Sequence, residues 1–495
     1  MAVTYNPFRA SVNRLSGKKP VGIFRAVLSS QSALKYRMPT RKKPMKIFFS
    51  GMAGSGMSAI AGFMSDSGHI VIGSDRAFDT NPSHPLKNTF RSRGIAVVPQ
   101  DGSGMDSAFD LAVFSTAVEP DHPEFLKAGS LGIPTKTRPE YLADITASFK
   151  TIAVSGTSGK STVSGMLAFL MNRLGLDPNF IGGGRVRQFR SPANPGNYLA
   201  GNSDYLVIEA CESDGTIVNY RPEHSLILNL SLDHHAVYET AEMFDTLVKN
   251  TRSKVILNAD DPNLRGIRNR DTITFSTDTP SHYKADNVVY RPFASEFSVH
   301  GTGFSLSLPG KYNVYNALSC IAMLAELGIP LRSVARVLPE FQGIDRRFDI
   351  YLDDGEHLVI DDYAHNPHKI SSLMRAVKKI KKKVCYIFQP HGFGPTRLMK
   401  DEYIRAFSDN LRDSDRLILL PIYFAGGTAS RDISSHDLAE GITARGKNAE
   451  VVKKRSDILK SGNEFTVYVV FGARDETLAD LAKQIAGSVP GMNKS

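Results

Sequence analysis

"VSGTSGKSTVSGML", residues 154–167, follows Thr151-Ile152-Ala153, which reads as the tail of a buried strand. Gly156 and Gly159 bracket the hydroxyl pair Thr157-Ser158, Lys160 comes next, and Ser161-Thr162 open an apolar-periodic stretch. Val163, Met166, Leu167, Leu170, Met171 and Leu174 recur at helical spacing and predict an amphipathic helix. Strand, glycine turn and helix together make a phosphate cradle. The glycines allow the turn, amides at the helix start point at phosphate oxygens, and Lys160 brings a mobile cation. Ser161 could ligate Mg²⁺. The longer loop pattern G-x-x-x-x-G-K-[ST] would need a glycine where Val154 stands, so that strict match fails. The plainer alternative is a strand-to-helix turn with an exposed lysine.

Upstream, "MKIFFSGMAGSGMSAIAGFMSDSGHIVIGSDR" (45–76) reads strand, glycine turn, helix, strand. Gly51, Gly54 and Gly56 form the turn and Asp75 ends the second strand, a nucleotide-binding βαβ pattern. The spacing G-x-x-G-x-G is not the dinucleotide fingerprint, and a nicotinamide-dependent oxidoreductase would leave the centre of the chain unexplained. Further buried strands are predicted at 205–210, 225–230 and 255–258, and from Phe341 onward at 357–360, 384–389, 416–420 and 466–471. Alternating strand and helix predicts an α/β protein of three consecutive domains with mostly parallel sheets. These are a Rossmann-like domain (45–145), a central P-loop ATPase-type domain (146–340) and a Rossmann-like C-terminal domain (341–495).

A chain of 495 residues is too long for one core. Its 41% hydrophobic and 22% charged residues suit a soluble globular protein, and no apolar run approaches the roughly 18 residues of a membrane span. Cys211, Cys320 and Cys385 are too dispersed for a disulfide framework or a zinc cluster, which favours a reducing cytoplasm. Lys and Arg number 60 against 50 Asp and Glu, but ten of the basic residues lie in 1–44, which has no acidic residue. The body is therefore neutral, which argues against nucleic acid as a partner. The basic leader lacks the apolar centre of a secretory signal. It reads as a disordered tail or as sequence ahead of a start at Met45, with organelle targeting as the other reading. The run 378–383, "KKIKKK", reads as a solvated helix end.

The short loop G-T-x-G-K-[ST]-T resembles that of the Mur ligases, the ATP-dependent amide-forming enzymes of peptidoglycan synthesis. Other stretches follow in that family's order from Lys46 onward: SGMAGSGMSAIAG, GSD, STA (115–117), EACESD (209–214) and NLSLDHH (229–235). After them come PGKYNVYNAL (309–318), GIDRRFD (343–349), DDYAHNP (361–367) and FQPH (388–391). The branch most resembled adds the first amino acid to UDP-N-acetylmuramate. The resemblance implies a UDP-sugar domain, a central ATPase domain and a C-terminal domain that helps bind ATP and the incoming amine. It also implies ATP and Mg²⁺ as cofactors and an acyl phosphate intermediate. The partners implied are UDP-N-acetylmuramate and an amino acid or short peptide, with L-alanine leading. Neither nucleic acid nor membrane insertion is expected, and a cytoplasmic monomer or homodimer is.

By the same resemblance, Gly156, Thr157, Ser158, Gly159, Lys160, Ser161 and Thr162 would hold the ATP phosphates. Ser161, Glu212 and His234 would be metal ligands, and Arg346 or Arg347 would steady the transferring phosphoryl group. Asn313 and Asn316 fall on the adenine side, and Asp362 on the ribose. Gly51, Gly54, Gly56, Met57, Ser58, Asp75 and Thr116 would take the UDP-sugar, and His365, His391 and Arg397 the acceptor. Plainer alternatives stand beside these: a salt-bridged linker for Arg346-Arg347, helix caps for the asparagines, and ordinary hydrogen bonding for one of His234 and His235. Glu209, inside an apolar strand, needs a partner, for which a structural Lys or Arg would serve.

The sequence departs from the branch's pattern in several places. Ser158 stands where a histidine is usual, Val163 where a threonine is, Ala53 where a glycine is common, and Ala364 and Asn366 where Gly and His are typical. After FQPH, where the branch shows R-Y-x-R-T-R, this chain reads Gly392-Phe393-Gly394-Pro395-Thr396-Arg397. Glycine cannot replace a guanidinium fork on a carboxylate. Either another cation takes over, Arg474 being one candidate, or the acceptor is not L-alanine. A murein-recycling ligase that adds a tripeptide, and a non-catalytic nucleotide-binding scaffold or regulator, are the alternative functions.

Overall fold

Short apolar runs bounded by glycine and polar residues become parallel strands buried on both faces. The computed structural model describes residues 43–232, 235–424, 430–460 and 465–492. Most of the basic leader and His234 lie outside the described residues. The first sheet has five parallel strands, in spatial order Ala96–Val97, Ile70–Ser74, Lys46–Ser50, Leu111–Phe114 and Thr135–Thr137. The eight-stranded second sheet places Lys150–Ser155 between His224–Ile227 and Tyr205–Glu209. Its only antiparallel pair among the described strands joins Asn179–Ile181 to Tyr198–Leu199 at one edge. The six-stranded third sheet runs Asp349–Asp353, Leu358–Asp362, Val467–Phe471, Val384–Phe388, Arg416–Leu419, Ala449–Val451, with only the first strand antiparallel.

The three α/β layers follow the predicted alternation. A separate three-stranded antiparallel sheet, Asp286–Tyr290, Ser295–Val299 and Thr302–Leu306, was not expected. The helix after the phosphate loop, Lys160–Arg173, differs from its amphipathic expectation, because residues 162–171 are buried on every side. It lies between the central sheet and the long helix Lys311–Glu326, in one apolar cluster that includes Val154, Val207, Leu318 and Ile321. A helix that is apolar all round belongs in such a core. Gly165 makes this closeness workable, since a Cβ there would lie 2.6 Å from Ile344 and 2.7 Å from Val186.

The first and second sheets share a core through the helix Ser55–Asp66. Tyr198, at the edge of the second sheet, lies so close to Gly62 that an added Cβ would come within 2.2 Å of its ring. Asn197 beside it donates to Ser55 O at 2.7 Å and to Ser58 Oγ at 3.0 Å. A central-domain side chain thus fixes the start of the first domain's helix.

Below the first sheet's carboxyl edge, Glu124 is fully buried and accepts a hydrogen bond from Ser50 Oγ at 2.5 Å. Burial raises its pKa above the ordinary 4.5, partly offset by the Ser50 and Ser74 hydroxyls. Its protonated form therefore suits the fold. The stability it contributes is complete below about pH 4.5 and is lost as pH climbs through the raised value. Glu124→Gln keeps a carbonyl for Ser50 and has no proton to lose. Melting temperature measured against pH should fall less steeply toward neutrality in E124Q than in the parent chain; parallel curves would remove Glu124 from the dependence.

Candidate functional site

The strand Lys150–Ser155 ends at the phosphate loop, whose backbone only glycine accepts at two points. Gly156 has φ +144° and a Cβ there would lie 2.9 Å from Leu228; Gly159 has φ +88° and would meet Asn316 Oδ1 at 2.7 Å. The loop is held by Asn229, at the exit of the neighbouring strand. Its Nδ2 donates to Ser158 O at 2.9 Å, and its Oδ1 accepts from Ser158 N at 2.8 Å and Thr157 Oγ1 at 2.9 Å. Ser231 N donates to Thr157 Oγ1 at 3.0 Å. Asn229 mimics a backbone strand, so the loop is shaped before any phosphate arrives. In the sequence Asn229 stands out only as part of NLSLDHH; its role depends on the strand His224–Ile227 pairing beside Lys150–Ser155.

Lys160 turns back over this loop. Its Nζ donates to Gly156 O at 2.7 Å and to Glu212 Oε1 and Oε2 at 3.0 and 2.8 Å. The two side chains are only 11% and 3% exposed. Burial alone would disfavour the ammonium, but Cys211, Glu212 and Glu209 reverse this and raise the Lys160 pKa. Ser161 Oγ donates to Glu209 Oε1 at 3.0 Å, and Gly183 N to Glu209 Oε2 at 2.9 Å. The expected Lys or Arg partner of Glu209 is thus replaced by a hydroxyl and an amide. A hydroxyl and two carboxylates beside a backbone turn are hard oxygen donors, and this set fits Mg²⁺ carried by a nucleotide. Ser158 Oγ is buried with no protein partner, a polar atom left over for a ligand. Among the described residues no three His, Cys, Asp or Glu side chains form a group that could hold a metal ion by themselves.

At the other glycine turn, Gly51 has φ +83° and a Cβ there would lie 2.7 Å from Ser115 Cβ. Gly54 caps the helix Ser55–Asp66 without a side-chain bond, so its first amides stay available. Asp75 accepts from Ala53 N and from Ala77 N, each at 2.8 Å, and so braces the turn while capping the next helix. Met57 and Ser58 are buried in that helix, and Thr116 lies on an exposed turn. Arg138 packs over Gly56 and pairs with Asp214 at 2.6 Å, linking this turn to the segment that carries Glu212.

Asn313 and Asn316 do not cap the helix Lys311–Glu326 by a side-chain bond at its N-cap. Asn313 Nδ2 donates to Pro309 O at 2.8 Å, and Asn316 lies against Gly159 and donates to Asn313 Oδ1 at 3.1 Å. Arg346, expected with Arg347 beside the phosphoryl group, is engaged within the C-terminal domain. Its guanidinium is buried, donating to Asp361 at 3.0 Å, Gly472 O at 2.9 Å and Asp475 O at 3.0 Å. Among the described residues no hydrogen bond or ion pair joins Arg346 or Arg347 to the phosphate loop. Arg347 instead lies over the Tyr363 ring at 4.8 Å. Both oxygens of Asp362 accept backbone amides, from Phe348 and Ala364, each at 2.7 Å. His365 Nδ1 lies 2.9 Å from Tyr363 O, and His391 packs on the Tyr423 ring. Arg397 pairs with Asp432 and donates to Ser430 O at 2.9 Å.

The chain matches three family descriptions in succession: "Mur ligase family, catalytic domain" over 46–150, "Mur ligase middle domain" over 154–324 and "Mur ligase, glutamate ligase domain" over 346–474. It is 30% identical over 451 residues to a UDP-N-acetylmuramate–L-alanine ligase of Caldicellulosiruptor saccharolyticus, covering 87% of this chain and 96% of that one. To the like-named ligase of Persephonella marina it is 31% identical over 469 residues, 91% of this chain and 99% of that one. The crystal structure of the UDP-N-acetylmuramate-alanine ligase MurC of Thermotoga maritima superposes with a TM-score of 0.75 at 27% identity, over 91% of this chain and all of that one. A murein peptide ligase of Psychrobacter arcticus shares the fold, with a TM-score of 0.64 at 22% identity over 90% of this chain and 98% of that one.

Replacing Lys160 with Met leaves Glu212 buried without its counter-charge. The expected cost is about 3 kcal/mol of unfolding free energy. The double variant Lys160→Met with Glu212→Leu should regain a large part of that loss. Denaturant midpoints of the parent, both single variants and the pair give the coupling directly; additive losses would mean that the pair contributes nothing of its own.

Proposed function

Because the chain belongs to the Mur ligase family of ATP-dependent, amide-forming ligases, we propose that it joins L-alanine to the lactyl carboxylate of UDP-N-acetylmuramate, in the cytoplasm, during peptidoglycan synthesis. The relatives bearing that name, at 30–31% identity over most of both chains, support the choice of substrates. The observation that carries the reading is the phosphate loop, with Lys160 clamped between Gly156 O and Glu212. No helix among the described residues is long and apolar enough to cross a membrane.

In this reading residues 45–145 hold the UDP-sugar, 146–340 the ATP, and 341–495 the far side of the nucleotide and the acceptor. A lactyl carboxylate oxygen attacks the γ-phosphorus of ATP, the bond to the bridging oxygen breaks, and ADP leaves. The neutral amine of the acceptor then attacks the acyl carbon of the mixed anhydride. The carbon–nitrogen bond forms, inorganic phosphate departs with the former carboxylate oxygen, and the nitrogen sheds its extra proton to solvent. Such chemistry asks for alignment and for positive charge along the phosphates.

Each group has a part in this scheme. Lys160 provides the cation at the β/γ-phosphates, and the loop amides other than those of Thr157 and Ser158, which Asn229 holds, serve their oxygens. Bound Mg²⁺ supplies further charge neutralisation there, and Ser161 and Glu212 would hold it, with His234 assigned to a second metal position. Asn313 and Asn316 are assigned to the adenine, Asp362 to the ribose and Arg347 to the phosphoryl charge. Gly51, Gly54, Gly56, Met57, Ser58, Asp75 and Thr116 are assigned to the UDP-sugar, and His365 and His391 to the acceptor end. Arg346 acts as a positioning residue, holding Arg347 and Asp362 in place through Asp361.

Purified protein given UDP-N-acetylmuramate and Mg·ATP should release ADP and phosphate only when an acceptor is added, and L-alanine should be preferred. Lys160→Ala should lower that turnover at least a hundredfold. Gly392 and Pro395, standing where the branch carries arginines, favour the tripeptide as the second reading. An acceptor screen containing L-alanyl-γ-D-glutamyl-meso-diaminopimelate decides between the two. Silence with every acceptor would overturn the ligase reading itself.

A further inference from the structure

Beyond the strand Val384–Phe388 and its parallel neighbour Arg416–Leu419, the two chains stay zipped for several residues. Gly392 N donates to Tyr423 O at 2.9 Å, Tyr423 N donates to Pro390 O at 2.8 Å, and His391 bridges to Tyr423. The next residue on each chain is therefore brought to one place. Phe393 and Phe424 meet edge to face with ring centroids 5.6 Å apart. Gly392, at φ +74°, makes the turn that presents Phe393. Arg431 returns across this pair, its guanidinium carbon 4.4 Å from the Phe424 centroid and 5.9 Å from that of Phe393.

The location and the chemistry agree. In open parallel sheets, ligands bind outside the carboxyl ends of the strands, and this cluster is built on two of those ends. A guanidinium stacked on a ring keeps its in-plane N–H edge for a planar anion, and the ring preorganises it at little entropic cost. Arg397, which reaches the same segment, is already neutralised by Asp432. Arg431 is exposed, and its described contacts are two ring faces rather than a carboxylate.

We propose that Arg431, stacked on Phe424 and Phe393, binds the α-carboxylate of the incoming amino acid and is the specificity-determining cation of the acceptor site. This rests on the ligase reading above. Arg431 does the work for which Gly392 and Pro395 provide no charge, while Arg397 is held by Asp432 as a brace for the same loop.

The test separates the two half-reactions. Hydroxylamine traps an acyl phosphate as a hydroxamate and has no carboxylate to be recognised. With UDP-N-acetylmuramate and Mg·ATP, the parent chain and Arg431→Ala should form hydroxamate at equal rates. The same variant should raise the KM for L-alanine roughly ten- to a hundredfold, as expected on losing a charge-assisted pair. Its preference for L-alanine over L-alaninamide should collapse, and Arg431→Lys should restore part of it. An unchanged KM with normal hydroxamate formation would overturn the role of Arg431 and leave the ligase reading intact. Undiminished L-alanine affinity in R431A with a loss in Arg474→Ala would move the role to Arg474. Absence of hydroxamate from the parent chain would instead overturn the ligase reading.

Discussion

The buried contact between Lys160 and Glu212 is the constraint on which the rest of the site depends. All three ammonium hydrogens are used, on Gly156 O and the two carboxylate oxygens. A buried ion pair of this kind adds little net stability, because desolvation offsets most of the attraction. Its effect is geometric. It ties the phosphate loop to the end of the strand Tyr205–Glu209 and fixes the first turn of the helix Lys160–Arg173 between them. A phosphate entering the loop competes with Glu212 for the ammonium, and the displaced carboxylate then faces whatever cation the phosphate carries.

The joints between domains differ in kind. The first and central domains meet through the partly exposed Arg138–Asp214 pair and, more deeply, through buried, neutral contacts: Asn197 on Ser55 and Ser58, and Tyr198 in the space left by Gly62. Such contacts resist salt and tolerate little displacement. The linker to the C-terminal domain is held by Arg187 on Asp349, Arg190 on Asp345 and Arg185 on Glu476, all partly exposed. Exposed ion pairs are worth about 0–1 kcal/mol each and exchange readily. Arg346 and Phe348, both at positive φ, mark the backbone bend beside them. A joint of this second kind suits a domain that closes over substrates.

The sequence shows the parallel layers and both glycine turns plainly, because apolar runs and glycine spacing act locally. It hides what depends on strands far apart in the chain. Asn229 meets Ser158 across 71 residues, and Asn197 meets Ser58 across 139. The antiparallel sheet within 286–306 was missed because its strands lack the continuous buried apolar runs that mark the parallel layers. Arg346 and Arg347 look equivalent in sequence; only the fold tells them apart, since both guanidiniums lie over Tyr363 but Arg346 alone is also held by Asp361, Gly472 O and Asp475 O. Helical periodicity likewise cannot show that the helix Lys160–Arg173 is enclosed on all sides, since that requires knowing where Lys311–Glu326 packs.

The two nucleotide ends and the acceptor end use different materials. In the proposed reading the phosphates and the UDP-sugar meet the backbone of the two glycine turns, whose positions follow from strand ends and cannot shift without refolding a sheet. The acceptor end, as proposed, relies on side chains on loops. There a cation can be lost at one position and regained at another, provided it reaches the same volume by a different route. Gly392 illustrates this: it removes a guanidinium, yet the turn it permits brings Phe393 against Phe424 and creates a ring surface on which Arg431 lies. Loss and compensation are therefore consequences of one backbone conformation, and acceptor recognition can drift while the phosphate chemistry stays fixed.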